Sequence, residues 1–155
     1  MQTNEKLISV LNDLIRINND RVSGYEKASA ETDTIDVDLR AIFMGYANDS
    51  NKYANELALE VNRLGGESAD GTTGLGKIYR AWMDVKSTFT GQDRQAILSS
   101  CEYGEDQAQK AYADALASDA EMNADIRQLI TSQKAALKKS HDIIKKYRDA
   151  HDLVK

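Results

Sequence analysis

The 155-residue chain contains no proline, and this absence limits its possible folds more than any other feature of the sequence. Six of the nine glycines fall between Gly65 and Gly91, so the stretches on either side hold few residues that break helices. Apolar residues recur in those stretches at spacings of three and four, as at Leu7, Leu11 and Leu14. A period near 100° per residue is typical of amphipathic helices, and no alternating strand pattern interrupts it.

The apolar stripes predict an all-α fold of four long helices and one short helix. The predicted helices cover residues 4–30, 37–64, 73–88, 94–118 and 123–153. No long polar linker divides residues 1–155, and a chain of this length forms one domain.

Residues typical of helix ends mark several of these boundaries. Asp36 precedes the second long helix, and Asp119 or Asn123 begins the last one. Both residue types accept hydrogen bonds from the free N–H groups of a first turn. Gly65 and Gly66 should stop the second long helix, because glycine readily adopts the left-handed conformation found at helix C termini.

The lengths of the connections predict the topology. Residues 65–92 form a connection far longer than the roughly two to eight residues that join neighbouring antiparallel helices. Such a segment can run back along the whole bundle, so the second and third long helices should be parallel. Two antiparallel hairpins joined by one long crossover form the ferritin-like arrangement.

Charge and composition exclude several classes of function. The net charge of -5 argues against nucleic-acid binding. The single cysteine, Cys101, lies on an apolar stripe and is read as a small core residue in a reducing, cytoplasmic compartment. The first residues do not resemble a signal peptide, and no run approaches the roughly 18 apolar residues of a transmembrane segment.

A polar layer is predicted at the middle of the bundle, because polar residues occupy inward positions on three helices. Its members are Asn18, Tyr25, Ser50, Tyr53, Glu105 and Tyr112. Glu105 could be a metal ligand, an active carboxylate or a core residue that fixes helix register through hydrogen bonds; the last reading is favoured because buried polar groups are normally satisfied by neighbours. With tyrosine hydroxyls and the Asn18 amide as donors, Glu105→Gln should be tolerated.

Four segments of the sequence resemble a bacterial group of ferritin-like four-helix-bundle proteins described only as a domain of unknown function. They are "RINNDRVSGY", "LGGESADGTTGLGKIYRAWMDVKS", "TGQDRQAILSSCEYGEDQAQKAY" and "SHDIIKKYRDA". The resemblance covers nearly the whole chain. It implies a fold related to that of ferritin and rubrerythrin, but no established reaction.

Metal-binding ferritin-like proteins use one Glu from each of two helices and a Glu-x-x-His pair from each of the other two. The resemblance assigns these six positions to Asn18, Ser50, Tyr53, Glu105, Lys138 and His141. Only Glu105 and His141 match the ligand types. His141 also lies about 80° from the centre of its helical stripe, which favours a position at the rim of the core.

The sequence therefore favours a non-enzymatic ferritin-like bundle with a degenerate di-metal site, acting as a binding or stress-associated structural protein. The alternative is a metal-binding ferroxidase or oxidoreductase that uses Glu105 and His141 with iron or manganese. Such a site could be completed by oligomerisation. The expected partner is another protein or a second copy of the chain.

Overall fold

The computed structural model describes residues 2–32, 36–73 and 94–154, and within these ranges the chain forms four long helices. They are α1 (Gln2–Glu31), α2 (Val37–Arg63), α3 (Arg94–Ala117) and α4 (Ala124–Val154). Every predicted boundary of the four long helices lies within two residues of the observed one. Apart from Thr73, the predicted short helix over residues 73–88 lies outside the described residues.

The helix α2 ends just before the glycine pair Gly65 and Gly66, as predicted. Gly65 has a φ of 86°, its N–H donates to the Asn62 carbonyl at 3.0 Å, and the Gly66 N–H donates to the Val61 carbonyl at 3.0 Å. This pair of bonds is the Schellman arrangement, which satisfies carbonyl groups left free at a helix end. Gly66 also lies against Ile8 of α1, so a side chain there would press on the first helix.

The N termini of α2 and α4 are held differently. Asn123 accepts a hydrogen bond from the Ile126 N–H at 2.8 Å and so caps α4. Asp36 occupies the cap position of α2, but its side chain makes no capping bond. Its carboxylate instead pairs with Arg94 of α3, with 2.9 Å between Nε and Oδ2. The predicted side-chain cap at Asp36 is therefore wrong.

Contacts between helices establish their directions. Along α1, the partners on α2 and on α3 both move to lower residue numbers as the α1 residue number rises. The pairs are Arg21 with Ser50, Ser29 with Arg40, Lys6 with Asp119, and Arg21 with Glu105. Both α2 and α3 thus run antiparallel to α1, which makes them parallel to each other, as the long connection predicted.

Contacts between α3 and α4, the second hairpin, establish their directions in the same way. Gln109 of α3 donates to the Lys134 carbonyl at 3.0 Å, and Glu102, two turns earlier, pairs with Arg148 further along α4. The helix α4 is therefore antiparallel to α3. The four helices form two antiparallel hairpins, which is the predicted ferritin-like topology.

Polar side chains of α1 hold the start of the crossover against that helix. Asn12 donates to the Glu67 carbonyl at 3.0 Å and accepts from the Ala69 N–H at 2.8 Å. Asp20 accepts from both the N–H and the hydroxyl of Thr73, at 2.9 and 2.6 Å. The chain after α2 therefore runs alongside α1.

The core of the bundle includes an apolar cluster drawn from all four helices, and Cys101 lies within it as a fully buried thiol. None of the helices in the described part of the chain has the length and apolar character needed to cross a membrane.

Candidate functional site

A buried ion pair lies at the centre of the bundle. The Arg21 guanidinium of α1 binds the Glu105 carboxylate of α3 through two parallel bonds, 2.9 Å from Nε to Oε1 and 2.7 Å from Nη2 to Oε2. Both side chains are 0% exposed. Bidentate pairing matches the planar fork of an arginine to the two oxygens of a carboxylate and fixes their relative orientation.

Tyr25, one turn further along α1, completes the surroundings of Glu105. Its hydroxyl donates to Glu105 Oε2 at 2.5 Å, and its ring packs on Phe43 and Tyr46 of α2. Burial, together with the adjacent Glu105 charge, raises the pKa of Tyr25 well above its usual range. Tyr25 therefore stays protonated as a donor.

The remaining edge of the guanidinium connects the ion pair to neutral polar groups. Arg21 Nη1 donates to the Ser50 hydroxyl of α2, which donates in turn to Asn18 Oδ1 at 3.0 Å. The Asn18 amide then donates to the Leu14 carbonyl at 2.9 Å and to the Tyr112 hydroxyl of α3 at 2.7 Å.

Tyr112 extends this series of hydrogen bonds to α4. Its hydroxyl donates to Gln133 Oε1 at 2.7 Å, and the Gln133 amide reaches the Tyr53 carbonyl at 3.2 Å and Glu56 at 3.1 Å on α2. Burial is the main cause that raises the pKa of Tyr112. We call this connected set the core polar network; it consists of Asn18, Arg21, Tyr25, Ser50, Glu105, Tyr112 and Gln133.

Electrostatic interactions keep the Arg21 guanidinium protonated. Burial by itself lowers the pKa of the guanidinium, but the charge of Glu105 and the hydrogen bonds between the two groups outweigh it and raise the pKa. The core polar network thus contains one cation, Arg21, paired with one carboxylate, Glu105, and both groups are hydrogen-bonded to neighbours.

The structure brings together the side chains of five of the six residues predicted for the polar layer. These are Asn18, Tyr25, Ser50, Glu105 and Tyr112. The sixth, Tyr53, contributes only its main-chain carbonyl to the core polar network, and its ring is partly buried beside the apolar cluster.

Two members of the network were not predicted. Arg21 follows Asn18 by three residues and precedes Tyr25 by four, so its spacing places it on the inward face of α1. Gln133 lies on the inward stripe of α4 in the same way. In both cases the helical spacing contained the signal. For Arg21 the residue type argued against an inward position, because arginine is rarely buried without a partner.

Arg21 also changes the expected effect of Glu105→Gln. That substitution was predicted to be tolerated because Glu105 was thought to face neutral donors only. The observed partner is a buried cation, and an amide in place of the carboxylate leaves that cation without its counter-charge.

His141 and Lys138 lie away from this centre. The Lys138 ammonium is exposed and pairs with Asp142 on the same helix at 3.0 Å. His141 lies at the edge between α3 and α4, where its Nε2 is 2.6 Å from Asp106 Oδ1. The contacts of His141 and those of Glu105 form separate clusters, so the structure does not bring the two candidate metal ligands together.

Sequence comparison assigns the chain to a family. A family model described as "Domain of unknown function (DUF2383)" matches residues 6–119. The chain belongs to this family. Comparison with curated proteins gave no match.

Two of the solved structures that resemble this DUF2383 protein are a Dps protein and a bacterioferritin. A Dps1 mutant of Mycobacterium smegmatis gives a TM-score of 0.80 at 15% identity, covering 95% of this chain and 97% of that chain. A bacterioferritin of Desulfovibrio desulfuricans, solved for its diiron site in different catalytic states, gives 0.80 at 21% identity, covering 96% and 81%. At these identities the likeness establishes the ferritin-like fold alone.

The residues of the core polar network do not fit a di-metal centre. Two divalent ions require about four carboxylates and two imidazoles from the inward positions of the four helices. Here the core polar network supplies one carboxylate, a guanidinium, hydroxyls and amides. Within the described parts of the chain, no group of three or more His, Cys, Asp or Glu side chains has a geometry that could hold a metal ion.

Proposed function

We propose that this DUF2383 protein is a non-enzymatic ferritin-like bundle with a degenerate di-metal site, acting as a binding or structural protein. The observation that supports this proposal is the bidentate pairing of Arg21 with Glu105 at full burial. An arginine side chain supplies the positive charge that metal ions supply in ferritin-like di-metal proteins.

The physical argument concerns both charge and available ligand atoms. Both Glu105 oxygens are already bound, by Arg21 and by Tyr25, so a metal ion would have to displace a guanidinium. The displaced Arg21 would remain buried without a counter-charge, beside a second cation. Breaking a buried pair in this way costs several kcal/mol even before the repulsion between like charges is counted.

The alternative, a ferroxidase or oxidoreductase with iron or manganese at Glu105 and His141, is not favoured by the contacts of either residue. Glu105 is bound inside the bundle, and His141 is bound to Asp106 at its edge. An oligomer could bring further ligands to His141, but Glu105 has no exposed surface through which a second chain could reach it.

Metal analysis tests the proposal directly. Protein purified from cells grown with added iron or manganese should contain less than stoichiometric metal, and its melting temperature should not change when Fe²⁺ or Mn²⁺ is added. Glu105→Ala is the test variant, and Asp114→Ala, an exposed carboxylate on the same helix, is the matched control. Stoichiometric metal that is lost in Glu105→Ala and kept in Asp114→Ala would refute the proposal.

The partner in this proposal is another protein or a second copy of the chain. Light scattering should give a mass above the 17.2 kDa of one chain if the partner is another copy. A pull-down from the native cells tests for a different protein partner. A monomer that captures no protein would contradict this part of the proposal.

A further inference from the structure

His141 lies between carboxylates on both sides of its ring. Its Nε2 is 2.6 Å from Asp106 Oδ1 of α3, and its Nδ1 is 3.1 Å from Asp142 Oδ1 of α4. A third carboxylate oxygen, on Glu102 of α3, is 4.0 Å from Nε2. The imidazole is 19% exposed, so it is held at the seam between the two helices of the second hairpin.

Carboxylates at both ring nitrogens favour the doubly protonated form of His141. A neutral imidazole has one N–H and one lone pair, whereas an imidazolium has two N–H groups. Ionised carboxylate oxygens only accept hydrogen bonds, so a neutral ring would direct its lone pair at one of them. Only the charged ring can donate to Asp106 and Asp142 together.

We propose that His141 is a pH-sensitive clasp between α3 and α4, closed when the imidazole carries both protons and weakened when one is lost. In the closed state the imidazolium joins Asp106 of α3 to the α4 backbone that carries His141. When the imidazole loses one proton, one of the two hydrogen bonds is replaced by repulsion between a lone pair and a carboxylate.

The other charged groups around the ring support the closed state. They are Glu102 and Asp106 from α3, and Lys138, Asp142 and Arg148 from α4. Lys138 pairs with Asp142, and Arg148 pairs with both Glu102 and Asp149, so the carboxylates outnumber the cations here and favour an imidazolium. Burial lowers the pKa of His141, but the hydrogen bond to Asp142 and the charge and hydrogen bond of Asp106 outweigh it and raise the pKa above 6.5.

The direction of the pH effect follows from that raised pKa. A histidine whose pKa is higher in the folded chain stabilises the fold fully below its unfolded value and loses that contribution as the pH rises through the folded value. The clasp is therefore closed below this raised pKa and is weakened as the pH rises through it. The inference does not depend on the proposed function, because the residues of the clasp are not part of the core polar network.

An NMR titration tests the clasp, since the chain has only two histidines. In the His151→Gln variant the one remaining imidazole signal belongs to His141, and its midpoint should lie above pH 6.5. Adding Asp106→Asn should lower that midpoint, because the substitution removes a negative charge and an acceptor. A midpoint at or below 6.5, or one that Asp106→Asn leaves unchanged, would overturn the proposal.

Thermal melts test the consequence for stability. The melting temperature of wild type should exceed that of His141→Gln most clearly near pH 6, and the difference should shrink at pH 8.5. The His151→Gln chain serves as control and should keep a constant difference from wild type over this range. A His141→Gln difference that does not change with pH would show a packing role only and would contradict the clasp.

Discussion

Replacing Arg21 by methionine removes the cation at the centre of the bundle and leaves the Glu105 carboxylate buried without it. Methionine fills a similar volume, so the substitution changes charge more than packing. The Tyr25 hydroxyl, 2.5 Å from Glu105 Oε2, stays in place as a donor to the carboxylate. Ser50 loses a donor at the same time.

The expected loss follows from the complete burial of the pair. Removing one partner of a buried ion pair costs about 3–5 kcal/mol, because the other charge stays in the core uncompensated. For a domain of this size, 1 kcal/mol corresponds to roughly 2–4 °C in melting temperature, so the expected decrease is roughly 6–20 °C.

A double-mutant cycle separates the ion pair from other effects. Arg21→Met and Glu105→Gln are measured alone and together by urea unfolding at pH 7. Each single variant leaves one buried charge, whereas the double variant leaves none, and its amide can still bind Tyr25. The double variant should therefore be more stable than Arg21→Met alone, with a coupling energy of about 3 kcal/mol. Losses that simply add would refute the argument that the two charges compensate each other.

Two further predictions concern the helix ends. Asn123→Ala should lower the free energy of unfolding by roughly 0.5–2 kcal/mol, because the Ile126 N–H loses the 2.8 Å hydrogen bond that caps α4. Urea unfolding measures this loss, and an unchanged midpoint would contradict the capping role. Gly66→Ala should cost about 1 kcal/mol, because the added Cβ would lie 2.8 Å from the Ile8 side chain. Gly71→Ala, where an added Cβ meets nothing within 4 Å, is its control, and equal losses in the two variants would contradict the close approach.

The helices could be predicted from the sequence because their signals are local. Periodic apolar residues, the absence of proline and the Gly65–Gly66 stop all act within one or two turns, so each boundary of the four long helices was found to within two residues. Asp36 shows where local reasoning fails. Its position at the start of α2 was predicted, but its carboxylate binds Arg94, a charged group 58 residues away that no local pattern reveals.

The candidate site could be predicted only in part, because spacing identifies inward positions without identifying their partners. Glu105 and Tyr25 were placed correctly on inward faces, yet the residue that binds both oxygens of Glu105 was missed. Arg21 satisfied the spacing equally well. A buried arginine becomes acceptable only when an opposite charge lies across the core, and that condition depends on residues 84 positions apart.

Charge balance explains how one fold can hold either a di-metal centre or a buried ion pair such as Arg21 with Glu105. In a di-metal bundle, two mobile divalent ions hold about four carboxylates together, so the centre can be emptied and refilled. In this bundle the cation is Arg21, which is bonded to the chain and cannot leave, and a single carboxylate balances it. Both solutions satisfy inward-facing polar groups contributed by several helices, so both are compatible with one backbone arrangement. The backbone similarity to Dps and bacterioferritin is therefore expected whether or not a metal is bound, and the residues at the centre carry the argument about function.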